Sequence, residues 1–375
     1  MHPSSLLSYY PTYATLDEIV SYGNYKKLTI FIDLKNTLQT TYMEHAIINI
    51  IENTKRSKCK DSSVFASVIS FLSFHKIYGI KRGVDVNFVI FFETGQSYYH
   101  KNISKQYKIS RKIDDLYGLK RADRELFFEV LHSNFALIDK ACNRLPNVKV
   151  IRLPNLEADF IPYYLLSRKK VPYNGEVGYI TYSNDHDLWQ CVAQDSYVYS
   201  KSAKIRKIIR PGNIMYNYLK RENDIQDIYL PLAMSIIGDS GDDVTGVDKV
   251  GPVRFLEIFD EFISLTGNIW EIYRKVENNL PLIDPIPTHF SNKYLKSIVD
   301  EEVKNKTISK NLKLVSFELI SRALDNPSSV SMIDKRDIIT KILEKNEITP
   351  LKSLKEALER TGVFLSDTSI DLLYI

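Results

Sequence analysis

The sequence predicts an α/β fold: a parallel sheet flanked by helices, then a helical domain, then a C-terminal helical extension. Three observations carry this prediction. Short apolar, β-rich runs alternate with long helical patterns in the first half of the chain. The strand signal fades after about residue 205. A Gly/Asp-rich hairpin then separates two helical runs. Fully apolar strands alternating with helices imply a sheet covered on both faces with right-handed crossovers.

Taken in order, the strands are 28–33 (LTIFID), 87–93 (NFVIFFE), 148–153 (VKVIRL), 177–182 (VGYITY) and 196–200 (SYVYS). Residues 229–237 read as a helix entering the run from Gly238 to Pro252, and a second helix starts at Pro252. Pro281, Pro285 and Pro287 mark a break, after which charged amphipathic helices run over about 292–360. The domains expected are 1–205, 206–290 and 291–375.

The chain has 375 residues, 44% hydrophobic and 26% charged, which suits a globular protein, and no apolar run is long enough to span a membrane. The opening residues lack a basic segment followed by a long apolar one, so a cytoplasmic protein, monomeric and with no membrane partner, is expected. Three scattered cysteines, Cys59, Cys142 and Cys191, give neither a disulfide framework nor a zinc pattern. A net charge of +4 does not by itself imply a polyanionic partner, so local clusters must decide.

Ligands of parallel sheets bind beyond the carboxyl ends of the strands. Asp33, Glu93, Asp185 and Asp187 fall there, Glu157 and Asp159 open the helix after the third strand, and Asp239 and Asp242 lie in the hairpin. Hard divalent cations take oxygen ligands, and a Gly-rich hairpin lets backbone N–H groups approach a phosphate. Singly, such acids more often cap helices and stay solvated. As an ordered set beside the hairpin they point to metal-dependent phosphodiester hydrolysis. His186, between two of the acids, reads as a bystander, and no Ser/His/Asp pattern appears. Asp33 in FIDLKNT is also similar to a phosphatase signature, but Lys35 stands where the second aspartate belongs, which disfavours an aspartyl-phosphate mechanism.

Between Thr94 and Ile113 there is no acid. Lys101, Lys105, Lys108 and Lys112 follow a four-three-four spacing, with Arg111 and Tyr98, Tyr99 and Tyr107 nearby. On a helix this makes one positive stripe, with cations for phosphates and rings for unpaired bases. Lys201, Lys204, Arg206, Lys207 and Arg210 form a second cluster, read more readily as a solvated face.

Over about residues 26–275 these motifs, in this order, resemble the 5′-nuclease superfamily of 5′-to-3′ exonucleases and flap endonucleases, most like the bacteriophage ribonuclease H branch. Asp33 stands at the first strand's metal aspartate and Glu93, in FFETG, at the second. YKISR matches the arch element YKxxR, LEADF the EAD element, SNDHDLWQ the paired-aspartate strand end, and GDSGDDVTGVDKVGP the helix-three-turn-helix. The resemblance implies a PIN-like nuclease sheet with an arch over about 94–130 and a helix-three-turn-helix DNA-binding domain. It implies two Mg²⁺ ions, replaceable by Mn²⁺: one at Asp33, Glu93, Glu157 and Asp159, the other near Asp159, Asp185, Asp187 and Asp239, with Asp242 acting through water. Lys108 and Arg111 take catalytic positions. Tyr98, His100, Lys101, Lys105, Tyr107, Lys112, Gly246, Lys249 and Gly251 meet nucleic acid, with K⁺ at the hairpin. The implied work is cleavage near 5′ ends or junctions of DNA and RNA–DNA duplexes in replication, with replication proteins meeting the C-terminal helices. Phe160, Glu93 and Lys249 depart from the family pattern, leaving open an inactive junction-binding scaffold; a PIN-like single-strand ribonuclease is the other alternative.

Overall fold

The computed structural model describes residues 11–36, 63–94, 97–108, 121–154, 156–168, 175–201 and 206–326. Thr12 caps α1 (Tyr13–Gly23) by accepting from Thr15 N. There follow β1 (Lys27–Asp33), α2 (Ser63–Arg82), β2 (Asp85–Thr94), α3 (Tyr98–Ile103), α4 (Arg121–Cys142), β3 (Val148–Pro154), α5 (Ile161–Ser167), β4 (Val177–Tyr182), β5 (Ser196–Lys201) and β6 (Arg206–Ile209). The sheet order is β3-β2-β1-β4-β5-β6. All neighbours are parallel except β5 and β6. The strand order reverses at β1, which opens a crevice between the carboxyl ends of β1 and β4.

Alternation along each strand sorts the side chains into two layers. Ile30, Ile32, Phe88, Ile90, Val150 and Ile180 pack with α1, α2 and α4. Phe31, Val89, Phe91, Ile151, Leu153 and Tyr179 pack with α5 on the other face. Asp33 pairs in register with Phe91, and Glu93 with Leu153, so both acids end strands on this second face.

β6 corrects the sequence reading. The sheet continues past residue 205 because Arg206–Ile209 pairs antiparallel with β5, although its four residues are too few to show a period. Lys201, Arg206 and Lys207 therefore sit on a β-hairpin, while Lys204 lies outside the described residues.

The helical part comprises α6 (Ile214–Leu219), α7 (Leu230–Ile237), a two-stranded hairpin of β7 (Gly238–Asp239) and β8 (Val244–Thr245), α8 (Pro252–Thr266), α9 (Ile269–Glu277), α10 (Lys293–Asn305), α11 (Thr307–Val315) and α12 (Phe317–Asp325). The hairpin closes tightly on the end of α7. Gly238 has φ +89°, and a Cβ on Gly246 would lie 2.1 Å from Ile237 O, so both positions need glycine.

The C-terminal helices are not an appendage. Leu295, Ile298, Ile308 and Leu312 share one core with Leu232, Met234, Phe255 and Phe262. Buried Asn311 on α11 donates from Nδ2 to Ser235 O on α7 and Thr245 O on β8, both at 2.8 Å, tying the hairpin to the helix before it. On α12, Phe317, Ile320 and Leu324 enter the core of α5. Arg168 bridges Glu318 (3.0 Å) and Asp325 (2.6 Å). The expected helices beyond residue 326 lie outside the described residues. Cys142 and Cys191 are buried free thiols. Among the described residues no helix is long and apolar enough to cross a membrane.

Replacing Asn311 by Ala removes the side-chain donor from the buried carbonyl of Ser235 and from the part-buried carbonyl of Thr245. Asn311→Ala is expected to lower unfolding free energy by about 1–3 kcal/mol in urea denaturation, whereas an unchanged midpoint would show that water replaces the amide.

Candidate active site

The crevice at the strand reversal gathers the acids named from sequence. Asp33 ends β1, Glu93 lies one residue from the end of β2, and Asp185 and Asp187 follow β4, with Asp187 opening a 3₁₀ turn over Asp187–Cys191. Asp239 and Asp242 come from the hairpin. Glu157 and Asp159 differ from expectation. They lie in the turn before α5, whose helix begins only at Ile161 with Pro162 in its first turn.

Asp33 is buried and accepts from Asn36 N (3.0 Å) and Ser183 Oγ (3.1 Å). Burial, with the charges of Glu93 and Asp185 adding to it, pushes its carboxyl from 3.8 to about 7. Burial and then Asp33, Glu93, Glu157 and Asp185 hold Asp159 well above the carboxylate range. Burial followed by Asp185, Asp242 and Asp239 does the same to Asp187. Asp185 therefore adjoins both groups of acids. These are the shifts of like charges crowded in a low-dielectric crevice.

Two ammonium groups stand among the acids. Lys108 Nζ lies 2.7 Å from Glu157 Oε1 and 3.1 Å from Asp242 Oδ2. Although burial alone would raise Glu157, Lys108 holds it down to about 2. Lys35 pairs with Glu93. The residue that argued against a phosphatase thus reaches the acid at the end of β2, a contact that spacing alone did not reveal.

Carboxylate oxygens are the donor type that hard divalent cations take. Asp187 Oδ1 is buried and has no hydrogen-bond partner, so a lone pair is left open at the centre of the second acidic group. Among the described residues, no three His, Cys, Asp or Glu side chains are placed to hold an ion as they stand. Lys108 and Lys35 are paired with Glu157, Asp242 and Glu93 of this set.

Several nucleic-acid contacts predicted from sequence do not survive. His100 is buried; its Nδ1 is 2.6 Å from Ser97 Oγ and its Nε2 is 3.1 Å from Leu314 O on α11. Tyr107 is buried against the His100 ring, with centroids 4.6 Å apart, and its hydroxyl donates to Glu157 Oε2 (2.9 Å) and Asp242 Oδ2 (3.0 Å). Neither ring is presented to a base, and Tyr99 is buried too. Nor do the lysines share one helix. α3 stops at Ile103, where Ser104 turns extended, and Lys105 and Lys108 lie in the turns that follow. Lys101 Nζ donates to Tyr107 O, which helps fix that turn. Tyr98 and Lys105 are exposed. Arg111 and Lys112 lie outside the described residues.

In the hairpin, Lys249 keeps the left-handed backbone that glycine favours (φ +61°), and its side chain is 80% exposed, 3.6 Å from Asp248. Gly251 caps α8 without a side-chain bond, and a Cβ there would meet nothing, so glycine is not sterically required. Phe160 is buried in the core beside Tyr164. His186 packs on Trp189, with centroids 4.3 Å apart.

Sequence reasoning missed Ser183 and Asn36. Ser183 Oγ donates to Asp33 and accepts from Asp185 N (3.1 Å), and Asn36 Oδ1 accepts from Asn184 N (2.9 Å). Each stands within three residues of a named acid, which was the available signal.

No family model matches the chain. It is similar to the 5′-3′ exonuclease of Buchnera aphidicola (subsp. Acyrthosiphon pisum, strain APS), 24% identical over 324 residues, 86% of this chain and 96% of the relative. It is also similar to the 5′-3′ exonuclease of Aquifex aeolicus (strain VF5), 23% identical over 199 residues, 52% of this chain and 64% of that protein. Among solved structures, a bacteriophage T5 5′-exonuclease with bound zinc superposes with a TM-score of 0.56 at 19% identity, over 85% of this chain and 100% of that one. A bacteriophage T5 flap endonuclease in a pseudo-enzyme–product complex with DNA and metal ions gives 0.56 at 20% identity, over 85% and 99%. These solved structures share the fold of this chain.

Because Asp33 titrates near 7 when folded and 3.8 otherwise, the folded state holds its proton more tightly, and this group costs stability increasingly as pH rises from about 4 to 7. Buried histidines such as His75, held down to about 4 by burial, act in the opposite sense. They cancel between wild type and Asp33→Asn. In metal-free buffer Asp33→Asn is expected to melt progressively higher than wild type as pH rises from 5 to 7, and a pH-independent difference would refute the raised pKa.

Proposed function

We propose that the chain is a divalent-metal-dependent 5′ nuclease that hydrolyses phosphodiesters near 5′ ends and single-strand/duplex junctions, in the manner of primer or flap removal during replication. The observation that supports this most is the convergence of eight acids from the sheet's carboxyl edge and the hairpin, with an open Asp187 oxygen among them. Asp33, Glu93, Glu157, Asp159 and Asp185 would hold one Mg²⁺ or Mn²⁺, and Asp185, Asp187, Asp239 and Asp242 a second. Such ions, when bound, supply Lewis acidity at the phosphodiester.

The chain's own residues do the rest. Ser183 and the Asn36 amide orient Asp33. Tyr107 joins Glu157 to Asp242, which links the segment after α3, the turn before α5 and the hairpin. Lys108 is already beside the acids and is placed to meet a scissile phosphate, where its charge counts most as negative charge grows on the oxygens. The outer hairpin, with Gly246 and the exposed Lys249, suits a duplex phosphate backbone, and the exposed Tyr98 and Lys105 would be open to a single strand. The retained acids argue against an inactive scaffold, and the hairpin against a PIN-like ribonuclease that needs none.

The test uses 5′-labelled flap, nicked and RNA-primed duplexes with Mg²⁺. Wild type is expected to release short 5′ products. Asp187→Asn should lose turnover by orders of magnitude while still binding the junction, and Lys108→Ala should lower the single-turnover rate more than affinity. Full activity of Asp187→Asn, or no cleavage by wild type, would overturn the proposal.

A further inference from the structure

A second concave surface lies away from the acids. It is a groove of about 750 Å³ between the end of α3, the loop after α9 and the corner joining α10 to α11. Its floor includes Val276, Leu282 and Ile283, which are buried. Three of the ten exposed large apolar side chains among the described residues converge on it: Leu280 (44% exposed), Ile286 (50%) and Val303 (52%). Scattered apolar side chains need no explanation, but a cluster around a concavity marks a contact surface.

One wall is basic. Lys306, Lys310 and Lys313, spaced four and three residues apart, fall on one side of α11 and its cap, and all three line the groove. Lys313 Nζ donates to Asn279 Oδ1 at 2.8 Å, which holds it toward the loop. Two acids also line the groove. Asp284 is exposed at the rim. Glu302 is buried and engaged, its carboxylate accepting from Ile308 N (2.8 Å), Ser309 N (3.1 Å) and Ser309 Oγ. The positive charge available to a ligand therefore outweighs the negative.

We propose that this groove docks an acidic segment of a partner protein, one that alternates carboxylates with apolar side chains. Carboxylates would meet the α11 lysines while the apolar side chains cover Leu280, Ile286 and Val303. A nucleic-acid strand suits the surface less well, because its phosphates find nothing to pair with over the apolar half and meet Asp284 at the rim. The inference names the kind of partner expected for the C-terminal helices and does not depend on the nuclease reading.

The test is fluorescence anisotropy with the full chain and short labelled synthetic peptides. One alternates Asp with Leu and Phe, one alternates Asp with Ser, and a single-stranded oligonucleotide serves as a third probe. The Asp/Leu/Phe peptide is expected to bind saturably. Ile286→Ser and Lys310→Glu, both at exposed positions and checked by circular dichroism, should each weaken it at least about tenfold. The Asp/Ser peptide should bind at least about tenfold more weakly than the first, and oligonucleotide affinity should be unchanged in both variants. Absence of saturable binding by the first peptide, equal binding in the variants, or an oligonucleotide that displaces the peptide and loses affinity in Lys310→Glu would overturn the proposal. Cleavage is not read, so a negative result leaves the nuclease assignment standing.

Discussion

Repulsion between buried carboxylates at the sheet's carboxyl edge is the constraint around which this molecule is organised. A crevice that raises Asp33 to about 7, and Asp159 and Asp187 well above the carboxylate range, is costly to fold unless positive charge enters it. Lys108 and Lys35 supply part of that charge from within the chain. Both are single charges on flexible stems, and neither meets the open oxygen of Asp187. Under the proposed function, divalent cations would bring more charge into less space.

Keeping such a cluster assembled requires that the segments carrying it be held from outside. The six-stranded sheet fixes the backbone at Asp33 and Glu93 by register. The hairpin lies outside that sheet, and the C-terminal helices support it. Asn311 grips α7 and β8, and Gln190, three residues after Asp187, exchanges hydrogen bonds with Val315 O (2.8 Å) and Phe317 N (3.0 Å). His100 reaches Leu314 O, so α3, which follows β2, is fastened to the same corner. Helices that carry no acid of the cluster thereby fix three of its supporting segments.

The sheet and the acids were legible in the sequence because both are periodic or terminal features. Apolar runs give strands, and carboxylates where those runs end give a crevice. β6 was too short to show a period, and α5 began later than LEADF suggests because Pro162 sets its first turn. The basic stretch misled most. Its four-three-four spacing reads as one helical stripe, yet the chain leaves the helix at Ser104, and His100 and Tyr107 turn inward to pack on each other and on α11. Spacing reports which residues would share a face if the helix continued, and tertiary packing decided that it did not. Lys35 was seen but only as an obstacle to another chemistry, since nothing local indicates that it reaches a strand end sixty residues on.

The central claim is that the acidic crevice is a divalent-cation site whose ligands include Asp187. Calorimetric titration of the metal-free protein with Mn²⁺ near neutral pH tests this most directly. Saturable binding to wild type that is weakened at least about tenfold in Asp187→Asn is the result predicted. Equal binding in the two proteins, or none in wild type, would contradict it.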